Sequence, residues 1–131
     1  MNAERNEAPT PYALLGGDAR VRELVDRFYD LMELEPAYRE LRQVHGSSLE
    51  SAREKLYLFL SGWLGGPALY TDRFGHPMLR ARHLPFAIGD LERDQWMACM
   101  VQAMEEIEVH QDLAQALRAA FQRTADWMRN K

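Results

Sequence analysis

Apolar residues return every three or four positions through most of this chain, the spacing that lines one face of a helix. Val21, Leu24, Val25, Phe28, Leu31 and Met32 predict a long helix after Leu15-Gly16-Gly17-Asp18, with Asp18 as its cap and Glu35-Pro36 as its end. Tyr29 sits on the edge of that stripe. A short segment through Tyr38, Leu41 and Val44 leads to His45, and Ser47-Ser48-Leu49-Glu50 has the spacing of a capping box. The next stripe is Leu49, Ala52, Leu56, Phe59, Leu60 and Trp63, with Lys55 beside it and Gly65-Gly66-Pro67 as a stop. Residues 68 to 75 read as a loop through Tyr70 and Phe74. Gly75-His76-Pro77 then opens a short helix, with proline in its first turn, that carries Leu79 and His83 and is stopped by Pro85. Asp90 is expected to cap a helix with Trp96, Met97, Cys99, Met100, Val101, Met104 and Ile107, whose wide apolar arc should make it the most buried. A last helix from about Gln111 turns Leu113, Leu117, Ala120, Phe121, Thr124 and Trp127 inward. No stretch alternates with period two, so the expected class is all-α.

Composition narrows the function. The chain has 131 residues, 47% of them hydrophobic and 27% charged, which suits one soluble domain over 12–131 behind a loosely ordered segment, residues 1–11. A net charge of −4 without a basic stripe argues against nucleic acid. No apolar run approaches a membrane span, and the polar start lacks the core of a signal peptide, so a cytoplasmic location is expected. Cys99 is the only cysteine, and its neighbours Met97, Met100 and Val101 point to a buried, unreactive thiol.

The candidate chemistry centres on Leu79-Arg80-Ala81-Arg82-His83-Leu84-Pro85-Phe86. Leu79, His83 and Phe86 share a helical face, and an imidazole on such a face must hydrogen-bond or bind a metal. Alone, that is more often a satisfied core histidine.

Other pieces lie in register with it. They are Gly16-Gly17, Phe28-Tyr29, Gly65-Gly66-Pro67, Gly75-His76-Pro77, Pro85-Phe86 and Glu92-Arg93-Asp94-Gln95-Trp96. In this order, over about residues 12 to 128, they resemble the truncated haemoglobins, specifically the second group of that family. The resemblance implies a globin-like, two-over-two helical sandwich around haem b, with His83 as the iron ligand and its other ring nitrogen donating to a carbonyl near Leu79. It implies that Leu56, Phe59, Leu79, Phe86, Trp96, Met100 and Ile107 contact the porphyrin, and that Lys55 and Arg82 meet its propionates. Ala52 falls where many globins carry a histidine above the iron, and so leaves an open route to it. Tyr29, His45 and Trp96 fall where the family places polar groups that touch bound ligand. His45 is a departure, since most relatives have tyrosine or phenylalanine there; it either donates to ligand or swings into solvent.

These readings imply a protein that binds O₂, and also NO and CO, as a monomer or weak homodimer. An alternative is a haem redox enzyme that reduces peroxide or oxidises NO and depends on an external electron donor. A third reading is a haem-free helical interaction module.

Overall fold

A computed structural model describes residues 9–131. Its elements in order are α1 (Pro11–Leu15), α2 (Asp18–Leu34), a 3-10 turn (Pro36–Tyr38), α3 (Arg39–Val44), α4 (Glu50–Trp63), α5 (Leu69–Phe74), α6 (Leu79–His83), α7 (Asp90–Glu106) and α8 (Gln111–Met128). No strand occurs among the described residues. The four helices of 14 to 18 residues form a two-over-two sandwich: α2 packs on both α4 and α7, and α7 packs on α8.

The expected stripes meet at the centre. Val21, Leu24, Val25 and Phe28 of α2 are fully buried together with Cys99, Met100 and Ala103 of α7. The Cys99 thiol donates to the Phe28 carbonyl at 3.2 Å. Trp63 of α4 stacks on Phe121 of α8 with ring centres 4.8 Å apart, and Trp96 of α7 meets the same ring edge-on at 5.5 Å. Phe28 of α2 meets Trp96 in turn at 5.2 Å, so one aromatic cluster joins all four long helices.

The helix ends depart from the sequence reading in instructive ways. The cap of α2 is Gly17, held at φ 83°, a conformation that favours glycine; Asp18 moves into the first turn, where its carboxylate accepts the Tyr57 hydroxyl and ties α2 to α4. Ser47 caps nothing. The Arg42 guanidinium donates to the carbonyls of Gly46 and Ser47, and α4 begins only at Glu50, whose N–H is met by the Ser48 hydroxyl at 3.3 Å. Gly89 rather than Asp90 caps α7: the Glu92 carboxylate accepts the Gly89 N–H at 2.8 Å while Asp90 pairs with Arg129.

Residues 69–74, read as loop, are helix α5. Pro77 lies before α6 rather than in its first turn, because Met78 takes a left-handed conformation (φ 47°) with its N–H held by His76 Nδ1. Trp127 is 63% exposed instead of inward, beneath the Arg80 guanidinium. The most buried helix is α2, with seven buried residues against five in α7. The segment expected to be loose, 1–11, falls mostly outside the described residues; its last two are Thr10, which caps α1, and Pro11, which opens it. No helix among the described residues is long and apolar enough to cross a membrane.

The turn after α4 is tight. The fully buried Ser61 hydroxyl donates to the Pro67 carbonyl at 2.7 Å, and a methyl group at Gly66 would clash with the Tyr12 ring, no more than 2.6 Å from three of its carbons. Gly66→Ala is expected to cost about 1–3 kcal/mol, read as a lower thermal midpoint.

Burial pushes the Cys99 thiol up to about 12, against roughly 8.5 in an unfolded chain. The unfolded chain therefore loses its proton first, and Cys99 makes stability fall as pH rises above roughly 8.5, by up to about 1.4 kcal/mol per pH unit. Urea midpoints at about pH 8 and about pH 10 should show this loss, and Cys99→Ala should lack this part of it.

Candidate functional site

His83 is the last residue of α6, a helix that buries none of its side chains. Its Nδ1 lies 2.6 Å from the Leu79 carbonyl oxygen. A carbonyl can only accept, so the proton is on Nδ1 and the lone pair of Nε2 is free to bind a metal.

The backbone around His83 is held from the far end of the chain. Asn130 Nδ2 donates to the carbonyls of His83 (3.2 Å) and Phe86 (2.8 Å), and Asn130 Oδ1 accepts the Ile88 N–H (3.0 Å). The Asn130 N–H in turn donates to the Ile88 carbonyl at 2.8 Å. Sequence reasoning missed Asn130, because an asparagine next to the C-terminus carries no motif.

Around His83 the apolar surface does not close on itself. Of the eight exposed large hydrophobic side chains among the described residues, four (Phe74, Met78, Leu84 and Phe86) lie in the segment from Phe74 to Phe86. Ala52, Leu56 and Phe59 of α4, Leu79 and Trp96 are only half-buried although they pack on or beside the core. Apolar surface left uncovered in this way, half of it on the segment that carries His83, marks a binding face for an apolar group. Met100 is fully buried one turn beyond Trp96. Ile107 does not belong here: it lies about 16 Å further along α7 than Trp96, buried against the α1–α2 end with its carbonyl accepting from Arg20. Lys55 and Arg82 are exposed and pair with no carboxylate among the described residues; the Lys55 ammonium rests 6.0 Å from the centre of the Phe74 ring.

The polar positions form a second wall. Tyr29, 4% exposed, meets Phe28 edge-on at 5.0 Å, and Phe28 meets Trp96 at 5.2 Å. His45 packs edge-on against Tyr29 at 5.9 Å. Every fully buried side-chain polar atom among the described residues has a partner, yet neither the Tyr29 hydroxyl nor the Trp96 indole N–H bonds to any of them. Both groups therefore open onto space. Burial raises the Tyr29 pKa against the lowering effect of Arg53, so the phenol keeps its proton and stays a donor.

His45 does not swing out. Its Nδ1 lies 2.9 Å from the Leu41 carbonyl, the same bond to the residue four earlier that His83 makes. The carrying helix α3 is fixed to α7 by Gln95, whose Oε1 accepts the Leu41 N–H at 2.9 Å and whose Nε2 donates to Glu40 at 2.8 Å. Burial lowers the His45 pKa, opposed by the Leu41 bond and reinforced by the charge of Arg42, so the ring is neutral near pH 7.

A family model, bacterial-like globin, matches residues 10–130. The chain belongs to the bacterial-like globin family. Group 2 truncated hemoglobin YjbI of Bacillus subtilis is 38% identical over 121 residues, covering 92% of this chain and 89% of the relative. A group II 2-on-2 hemoglobin of Agrobacterium tumefaciens is 42% identical, with a TM-score of 0.91 over 95% of this globin and 97% of that chain. A cold-adapted truncated hemoglobin of Pseudoalteromonas haloplanktis is 41% identical, with a TM-score of 0.90 over 94% of this globin and 99% of that chain. The resemblance to the second group of truncated haemoglobins and the two-over-two sandwich both stand.

Globins are haem-binding proteins, and the residues present suit that cofactor. An imidazole with a free Nε2 stands beside the exposed Phe86 ring, at 6.5 Å between centres, on a segment whose large apolar side chains are uncovered, and Arg82 next to it in sequence pairs with no carboxylate among the described residues. Asn130→Ala is expected to speed amide exchange at Ile88 and to cost about 1–3 kcal/mol of stability, checked by hydrogen exchange and urea unfolding.

Proposed function

We propose that this globin binds haem b through His83 Nε2 and reversibly takes up O₂, and also CO and NO, on the side lined by Tyr29, His45 and Trp96. The observation that carries this reading is the Nδ1 bond of His83 to the Leu79 carbonyl, which fixes the ring and directs its basic nitrogen away from the backbone. Haem supplies a ferrous iron to which a diatomic ligand can bond. The chain supplies the environment of that ligand. Ala52, Leu56, Phe59, Leu79 and Phe86, all with accessible surface, cover the porphyrin and exclude water, whereas Met100 is core beneath them; Lys55 and Arg82 neutralise its propionates, an attraction that salt weakens.

Tyr29 and Trp96 donate to the negative charge that O₂ acquires on binding. A hydrogen bond in a dry pocket contributes roughly 1–3 kcal/mol, and about 1.4 kcal/mol corresponds to tenfold in rate. Slow O₂ release follows, which suits retention or chemistry on the ligand better than delivery. The resemblance to a structure described as a truncated oxygen-avid haemoglobin from Bacillus subtilis, 38% identical, supports this direction.

Reconstituted ferrous protein should show a five-coordinate, histidine-ligated spectrum, and His83→Ala should lose it; an unchanged spectrum in the variant would remove the ligand assignment. Tyr29→Phe and Trp96→Phe should each speed O₂ dissociation by about tenfold or more. Unchanged stopped-flow off-rates in both variants would contradict the donor roles.

A further inference from the structure

The polar wall divides its labour. Tyr29 holds a protonated phenol and Trp96 has only an N–H to offer, so both are donors. His45 differs in kind. The Leu41 carbonyl at 2.9 Å cannot donate, so it holds the His45 proton on Nδ1 and leaves a lone pair on Nε2. A neutral imidazole so fixed accepts a proton and cannot give one to O₂.

Two features keep it that way. Gln95 ties the Leu41 N–H to α7, which holds the accepting carbonyl in place, and the Tyr29 ring against His45 limits rotation about χ2. The charged or titratable groups around His45 are Arg42 on its own helix, Tyr29 on α2 and His83 on α6, and none of them is an acid that would hold the ring protonated.

We propose that His45 is a general base for ligands that must lose a proton to bind, and that hydrogen peroxide is the substrate class it serves. The proposal rests on the haem reading above. In the step, an O–H bond of hydrogen peroxide breaks and an N–H bond forms at His45 Nε2, leaving the hydroperoxide anion to bind. As the O–O bond breaks, His45 returns that proton to the outer oxygen, which leaves as water. Bound haem would supply the two electrons for this cleavage, and an external one-electron donor would restore them one at a time. With two protons from solvent, one hydrogen peroxide becomes two waters. Tyr29 and Trp96, as donors, stabilise the negative oxygen during the cleavage.

Hydrogen cyanide isolates the proton step, because it must deprotonate to bind ferric haem, whereas CO binds ferrous haem without proton transfer. The measurement is the ratio of the two association rates in holoprotein, for the wild type, His45→Phe and His45→Gln. Glutamine keeps a hydrogen-bond acceptor but has no basic nitrogen. A base at this position predicts that the ratio falls about a hundredfold in both variants. An unchanged ratio in His45→Phe, or a wild-type ratio in His45→Gln, overturns the assignment. Failure of the haem reading itself looks different: the wild-type protein would then show neither a Soret band nor CO binding.

Discussion

Two backbone carbonyls set the chemistry of this globin. Each sits four residues before a histidine that ends or directly follows a short helix, and each accepts from that ring's Nδ1: Leu79 for His83 at 2.6 Å and Leu41 for His45 at 2.9 Å. Because an amide oxygen has no proton to give, both rings are forced into one tautomer and both present a basic Nε2. The same local bond thus serves two ends. In the function proposed above, it would prepare a metal ligand on one side and a proton acceptor among donors on the other.

What holds those short helices is remote from them. α3 and α6 have 6 and 5 residues, too few to be stable helices by themselves. Gln95 on α7 grips Leu41, and Asn130 beyond α8 grips the carbonyls of His83 and Phe86. The two-over-two sandwich is therefore the frame from which both imidazoles are aimed, and the aromatic cluster of Trp63, Phe121 and Trp96 keeps its members in register.

Much of this was legible in the sequence because it is written in local periodicity. The four long helices follow from apolar spacing, and Pro36, Gly65 and Pro67 mark ends that the structure keeps. The helix starts were less legible, since Asp18, Ser47 and Asp90 each have a cap-forming side chain that a tertiary partner claims or draws away: Tyr57, the Arg42-held segment and Arg129. At the site, His83 and the Tyr29, His45 and Trp96 wall came from the family resemblance as much as from spacing. Ile107 was misplaced because helical periodicity gives a face but not a distance along it. The His45 tautomer and the Asn130 grip could not be read at all, because both depend on which carbonyl happens to lie within reach.

The most direct test is nitrogen-15 NMR of the histidine side chains in the diamagnetic, CO-bound ferrous protein, where ring shifts and couplings report which nitrogen carries the proton. Nδ1–H at both His83 and His45, with His83 Nε2 bound to iron and His45 Nε2 bare, is the predicted result. A proton on His45 Nε2, or a His83 ring not bound to the metal, would contradict it.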